Sequence, residues 1–195
     1  PDLRNPLVIE ELTDILSKMD FAPFKDTTIR GIKVDSVEKS NSWFKSMEEY
    51  VKSIGGNLGY IKVNEDMTFK SSLDKFMTDE VRNELKERLS LQPGNVLFLI
   101  ADKTKCAKLL GQLRIKLGQE LELIDKSKYE FCIVNDFPFY EKNEEDGSVE
   151  FSHNPFSMPQ GGLEALNTMN PLDIKAYQYD FVCNGYEMAS GGVRN

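Results

Sequence analysis

The chain has 195 residues, 40% of them hydrophobic, and a formal net charge of -8. That length supports one large domain or two small ones with a true core. The acidic balance opposes a nucleic-acid-coating role, which needs a basic footprint, but it leaves room for ATP, whose charge one metal and one or two arginines can meet.

The elements follow in chain order. Asn5-Pro6 reads as a helix cap with proline at the first helical position, continued by Leu12, Ile15, Leu16 and Met19 at helical spacing. Ile29 to Val34 alternates like a strand. Ser42 is placed to cap a helix whose stripe of Trp43, Met47, Tyr50, Val51 and Ile54 stops at Gly55-Gly56. Gly59 to Val63 is a second strand, and Leu73 to Met77 and Val81 to Leu89 are two helical pieces. Val96 to Ala101 is continuously apolar, the pattern of a buried strand. Lys103 to Leu117 returns to helix with Cys106, Leu109, Leu110, Leu113 and Leu117 inward. After Asp125 the character changes: Tyr129 to Phe139 is an aromatic and β-branched strand, Glu141 to Gly147 an acidic loop, Val149 to Phe151 a strand, Pro155 to Pro171 a Gly/Pro/Asn/Met-rich loop, and Ala176 to Arg194 a closing hairpin. The fold class is therefore α+β: a lead-in over 1–27, an α/β insertion domain over 28–122 and an antiparallel sheet over 123–195.

Cys106, Cys132 and Cys183 show no CxxC spacing, and with a single histidine they form no zinc constellation. They read as reduced thiols of a cytosolic protein. No apolar run approaches the ~18 residues of a membrane span, and no signal-peptide pattern opens the chain. Both ends look cut, as in a piece of a longer protein.

The closing hairpin carries the most chemistry. Asn184-Gly185 between two β-prone runs demands a type I′ turn, which pairs Cys183 with Tyr186 and Val182 with Glu187. Asp180 then shares a face with Val182 and Glu187, and the two acids become diagonal neighbours, Cα atoms about 7–8 Å apart. Two carboxylates at that separation suit a hard cation whose shell is completed by phosphate oxygens; the plainer reading is an edge hairpin with two solvated acids. Arg194 follows Ser190-Gly191-Gly192, glycines that allow a bulge or a close backbone approach. Its guanidinium can clamp a carboxylate with two prongs; otherwise it is a solvated strand end. His153, the only histidine, has no Ser or Cys partner pattern for nucleophilic catalysis and suits carboxylate binding better; a structural or surface role is the alternative. Gly161-Gly162 lacks the residues of a P-loop, and the acidic loop reads as a solvated turn.

Asp136-Phe137-Pro138-Phe139-Tyr140-Glu141, His153-Asn154-Pro155-Phe156-Ser157 and Tyr179-Asp180 to Arg194, in that order, resemble the bacterial-type aspartyl-tRNA synthetases of class II. The resemblance extends through Phe98 to Lys103 and Arg114 to Gly118 to an insertion domain that also occurs in tRNA-dependent amidotransferase subunits. It implies a parent enzyme that joins L-aspartate to ATP, releases pyrophosphate, and passes aspartate to tRNA(Asp), with tRNA(Asn) left open. It also implies Mg²⁺, a cytoplasmic homodimer, and residue roles: Glu187 on ATP and metal, Asp180 as companion metal ligand, Arg194 and His153 on the bound aspartate. No acid–base or nucleophilic catalytic residue is assigned. Asn154 stands where many relatives have a second histidine, and Ala189-Ser190-Gly191-Gly192 has two glycines where relatives often have three. The anticodon-binding barrel, the dimer motif and part of the ATP site are not in these residues, so the isolated chain is expected to be inactive. The rival function is a non-catalytic module binding RNA or another subunit; an asparagine- or lysine-activating relative ranks below it because it would lack the insertion.

Overall fold

The computed structural model describes residues 1–143 and 145–195. Of the expected acidic loop, Glu144 lies outside them. The chain divides into two compact units, residues 5–124 and residues 1–4 with 125–195.

The first unit is a five-stranded sheet with helices on both faces. Its strands are β1 (Ile9–Glu11), β2 (Thr28–Val34), β3 (Gly59–Val63), β4 (Phe69–Lys70) and β5 (Val96–Asp102), in the order β1-β2-β5-β3-β4. Every neighbouring pair is antiparallel. Strand β5 is central, which is why its sequence is apolar at consecutive positions: Leu97 and Leu99 enter one core while Val96, Phe98 and Ile100 enter the other. Below the sheet, Leu12, Ile15, Leu16 and Met19 from around α1 (Thr13–Leu16) meet Val81 and Leu85 of α3 (Asp79–Arg88). Above it, Phe44, Met47 and Val51 of α2 (Asn41–Ser53) meet Leu109, Leu110, Leu113 and Leu117 of α4 (Cys106–Glu120).

Local signals explain the boundaries, with two corrections. Helix α2 is capped by Ser40, whose hydroxyl accepts from the Trp43 amide, rather than by Ser42. It ends where Gly55 takes φ +88° and the Gly56 amide returns to the Val51 carbonyl. Asn5 caps no helix. It is buried, its amide donates to the Arg114 carbonyl at 2.8 Å, and its side-chain oxygen accepts from the Leu7 amide. Arg114 answers with bonds to the Leu7 and Asn5 carbonyls, both 2.6 Å. Residues 5–11 are thereby tied to α4, and Ile9–Glu11 pairs with Arg30–Ile32 instead of forming helix.

The second unit holds a three-stranded antiparallel sheet, β10-β9-β6, and a separate hairpin. Its elements are β6 (Phe131–Asn135), β7 (Tyr140–Lys142), β8 (Val149–Phe151), α5 (Gly162–Thr168), β9 (Gln178–Cys183) and β10 (Tyr186–Gly192). Strand β6 ends at Asn135, ahead of Asp136 with its φ of +57° and short of the expected Phe139, and Glu141 and Lys142, expected in the acidic loop, pair within β7. A small core of Phe139, Ile174 and Ala176 lies beside the hairpin β7-β8. Among the described residues, no helix is long and apolar enough to cross a membrane.

Candidate functional site on the β9–β10 hairpin

Asn184 (φ +51°) and Gly185 (φ +86°) form the turn that their sequence demands. Asn184 also fastens the tip: its oxygen accepts from the Glu130 amide at 2.9 Å and its amide donates to the Lys128 carbonyl. The register is the expected one, Cys183 with Tyr186 and Val182 with Glu187. Asp180 therefore lies on the face of Val182 and Glu187, as the sequence spacing required.

The strand then departs from a plain ladder. Met188 bulges out, so Ala189 pairs with Phe181, Ser190 with Asp180, and Gly192 with Gln178. One extra residue reverses the parity of everything that follows. Without it, Arg194 would project from the sheet face opposite Glu187. With it, Glu187, Ser190 and Gly192 share one face with Asp180, and the same alternation carried two residues past β10 would bring Arg194 to that face, while Val193 lines a cleft with Ile133 and Tyr179. The Gly191-Gly192 pair, expected to allow a bulge, is not where one forms; the bulge is at Met188. The glycines answer a packing need. A Cβ on Gly191 would lie 2.8 Å from the Tyr179 hydroxyl, and one on Gly192 2.9 Å from the Tyr177 carbonyl.

Arg194 is held at a β-bridge to Ser157, and its guanidinium lies 4.9 Å over the Phe156 ring. Stacking on an aromatic face orients the fork without consuming its donors. The same segment carries His153, exposed and edge-on to Phe137 at 5.3 Å. The bridge thus ties the His153–Ser157 segment to the end of the hairpin that holds the carboxylates. Among the described residues, no hydrogen bond or ion pair joins His153 to Arg194, Asp180 or Glu187.

Asp180 is half-buried and Glu187 exposed, and neither makes a hydrogen bond or ion pair among the described residues. Among the described residues, no group of three or more His, Cys, Asp or Glu side chains gathers there for a metal. Two unpaired, oxygen-only donors on one face still fit a hard cation that takes the rest of its shell from phosphates and water. Gln178 escaped the sequence reading. It is buried, two residues before Asp180 on the same face, and the i−2 spacing could have pointed to it. Ser157, also buried, has a hydroxyl with no hydrogen-bond partner among the described residues and sits opposite Arg194.

Residues 24–110, within the unit of residues 5–124, match the GAD domain. The whole chain is 44% identical to the aspartate–tRNA(Asp/Asn) ligase of Ehrlichia chaffeensis and 45% identical to that of Rickettsia bellii, in each case over all of this chain and 34% of the other protein. The same ligase of Anaplasma phagocytophilum is 43% identical over the same shares. The chain thus spans about a third of the length of these relatives, and the resemblance to aspartyl-tRNA synthetases read from its motifs holds along its full length.

Proposed function

We propose that this chain is the GAD-bearing portion of an aspartate–tRNA ligase, a cytoplasmic, homodimeric class II enzyme that activates L-aspartate with ATP and transfers it to tRNA(Asp), with tRNA(Asn) as a second acceptor. The observation that carries this reading is the bulge at Met188, which puts Glu187 and Ser190 of β10, a strand that ends two residues ahead of the ring-stacked Arg194, on the face of Asp180. The whole-length likeness to ligases, extending beyond residues 24–110, supports it over the reading as a binding module alone.

Asp180 and Glu187 would hold Mg²⁺ together with the phosphates of ATP. When bound, the ion would withdraw charge from the phosphate oxygens. Arg194 clamps the side-chain carboxylate of aspartate with two parallel N–H bonds, and the Phe156 ring keeps the fork in plane. His153 donates to the substrate's carboxylate from the adjoining segment. Positioning and charge compensation then do most of the work, because the α-carboxylate is itself the nucleophile.

The test is aspartate-dependent exchange of pyrophosphate into ATP by the full-length protein. Exchange with aspartate but not asparagine or lysine is expected, and its absence from a folded dimer overturns the proposal. In the same assay Glu187→Gln is expected to cost several kcal/mol of transition-state stabilisation, and an unchanged kcat/KM would remove Glu187 from the site. The 195-residue chain alone is expected to charge no tRNA.

A further inference from the structure

The face of the five-stranded sheet that carries α2 holds a second polar site, remote in sequence from the hairpin. Lys62 on β3 and Lys70 on β4 are directly opposite in the antiparallel register. Like charges at opposed positions destabilise a strand pair, so this arrangement works against the fold. Neither ammonium makes an ion pair or a hydrogen bond among the described residues. Lys62 is half-buried, with its Nζ 3.6 Å above the Phe44 ring, and burial first and Lys70 second push its pKa down. The ring attracts the cation but gives it no counter-charge.

The two lysines line a cavity of about 370 Å³ with Tyr60, Asn41, Ser71, Ser72 and Glu48. The side chains of Asn41, Ser72 and Tyr60 have no hydrogen-bond partner among the described residues. Asn41 opens the first turn of α2, where the helix dipole favours an anion. Ser71 is already engaged, donating to the Tyr60 carbonyl and accepting from the Leu73 amide. Glu48 is the one acid of the lining; its field acts on the Tyr60 hydroxyl, whereas Lys70 supplies the field at Lys62. The cavity therefore collects uncommitted donors and an excess of positive charge.

We propose that this cavity binds a phosphate group, held between Lys62 and Lys70 and completed by the Asn41, Ser72 and Tyr60 donors. A phosphate needs several donors and a countercharge, and its arrival turns the Lys62–Lys70 repulsion into shared attraction. The same chemistry is offered by free phosphate or a nucleotide and by the phosphodiester of RNA.

The experiment titrates inorganic phosphate into the 195-residue chain at fixed ionic strength and follows the Lys62 ε-methylene signal, which the Phe44 ring marks by its ring current. A saturable shift is expected, weakened about tenfold in Lys70→Gln and, followed at the Lys70 ε-methylene signal, in Lys62→Gln. Lys70 is exposed, so its variant remains informative should Lys62→Gln unfold. A short RNA oligonucleotide is then added to the phosphate-bound protein. Displacement of phosphate identifies the phosphodiester as the source, and retention identifies the free anion; both uphold the site. No saturable shift, or an identical response in wild type and Lys70→Gln, overturns it.

Discussion

The two units of this chain spend their apolar residues differently. In residues 5–124 a central strand is buried on both faces, and the apolar side chains of β5 find partners above and below. In the other unit the three-stranded sheet leaves a whole face open: Phe131, Ile133, Tyr179 and Phe181 are between 41% and 66% exposed. Charge divides in the same way. Acidic and basic side chains nearly balance in residues 5–124, and almost all of the net -8 falls in the second unit. The first unit is thus self-sufficient in its core, while the second keeps two carboxylates unpaired and supports them with few buried groups. The difference teaches that fold stability and candidate chemistry are housed separately in this chain.

The largest expected effect tests that separation directly. Phe98 is fully buried between α2 and α4, and Phe98→Ala is expected to cost about 3–5 kcal/mol. Phe181 stacks on Phe131 with ring centroids 5.5 Å apart but is 41% exposed, so Phe181→Ala is expected to cost about 1 kcal/mol. Urea unfolding monitored by Trp43, the only tryptophan, reports the first unit because that indole packs against Phe44 and Phe98. Backbone circular dichroism follows both units. Equal losses from the two truncations would break the comparison.

A smaller effect sharpens it. Gly118 on α4 faces Asn5, and a Cβ there would collide with the Asn5 amide group. Gly118→Ala is expected to destabilise the first unit by about 1–3 kcal/mol, as overpacking does. Since the collision is with Asn5, adding Asn5→Ala to Gly118→Ala should not deepen the loss by the full cost of Asn5→Ala alone. Strict additivity in that double-mutant cycle would mean the helix does not lean on Asn5.

Much of this was legible in the letters. The turn at Asn184-Gly185 fixes its own backbone, and with a two-residue loop it also fixes the pairing of Val182 with Glu187. The inward stripe of α4 is a strict helical pattern, and Cys106, Leu109, Leu110, Leu113 and Leu117 are all buried. What failed has long-range causes. Asn5 resembles a helix cap because its local neighbours permit one, but its true partner is Arg114, more than a hundred residues away. The bulge at Met188 has no residue signature of its own, since neither methionine nor its neighbours need an unusual φ there. The register it sets faces Gly191 with Tyr179 and Gly192 with Gln178, pairings across the hairpin that the residues around Met188 do not announce. The consequence for the site was large, because the side on which Arg194 projects depends on that one residue.

The smallest expected effect concerns the entry to α4. The Asp102 carboxylate accepts from the Lys105 amide at 2.6 Å and the Thr104 amide at 2.9 Å, bonds that hold its pKa below the ordinary aspartate range. Two of the amides before the helix are thereby satisfied by a charged acceptor, the arrangement that makes caps worth about 1 kcal/mol. Asp102→Ala is expected to cost that much at neutral pH. The folded pKa is the depressed one, so the contribution is fully present above the unfolded value of about 4 and is lost as pH falls through the folded value. The stability gap between wild type and Asp102→Ala should therefore be constant from pH 7 down to about 5 and close below it. A gap that widened on acidification would mean the protonated carboxyl is the better partner, and the two short amide bonds would not be the origin of the shift. Because Asp102 lies in the unit of residues 5–124, the closing gap should appear in the Trp43 signal.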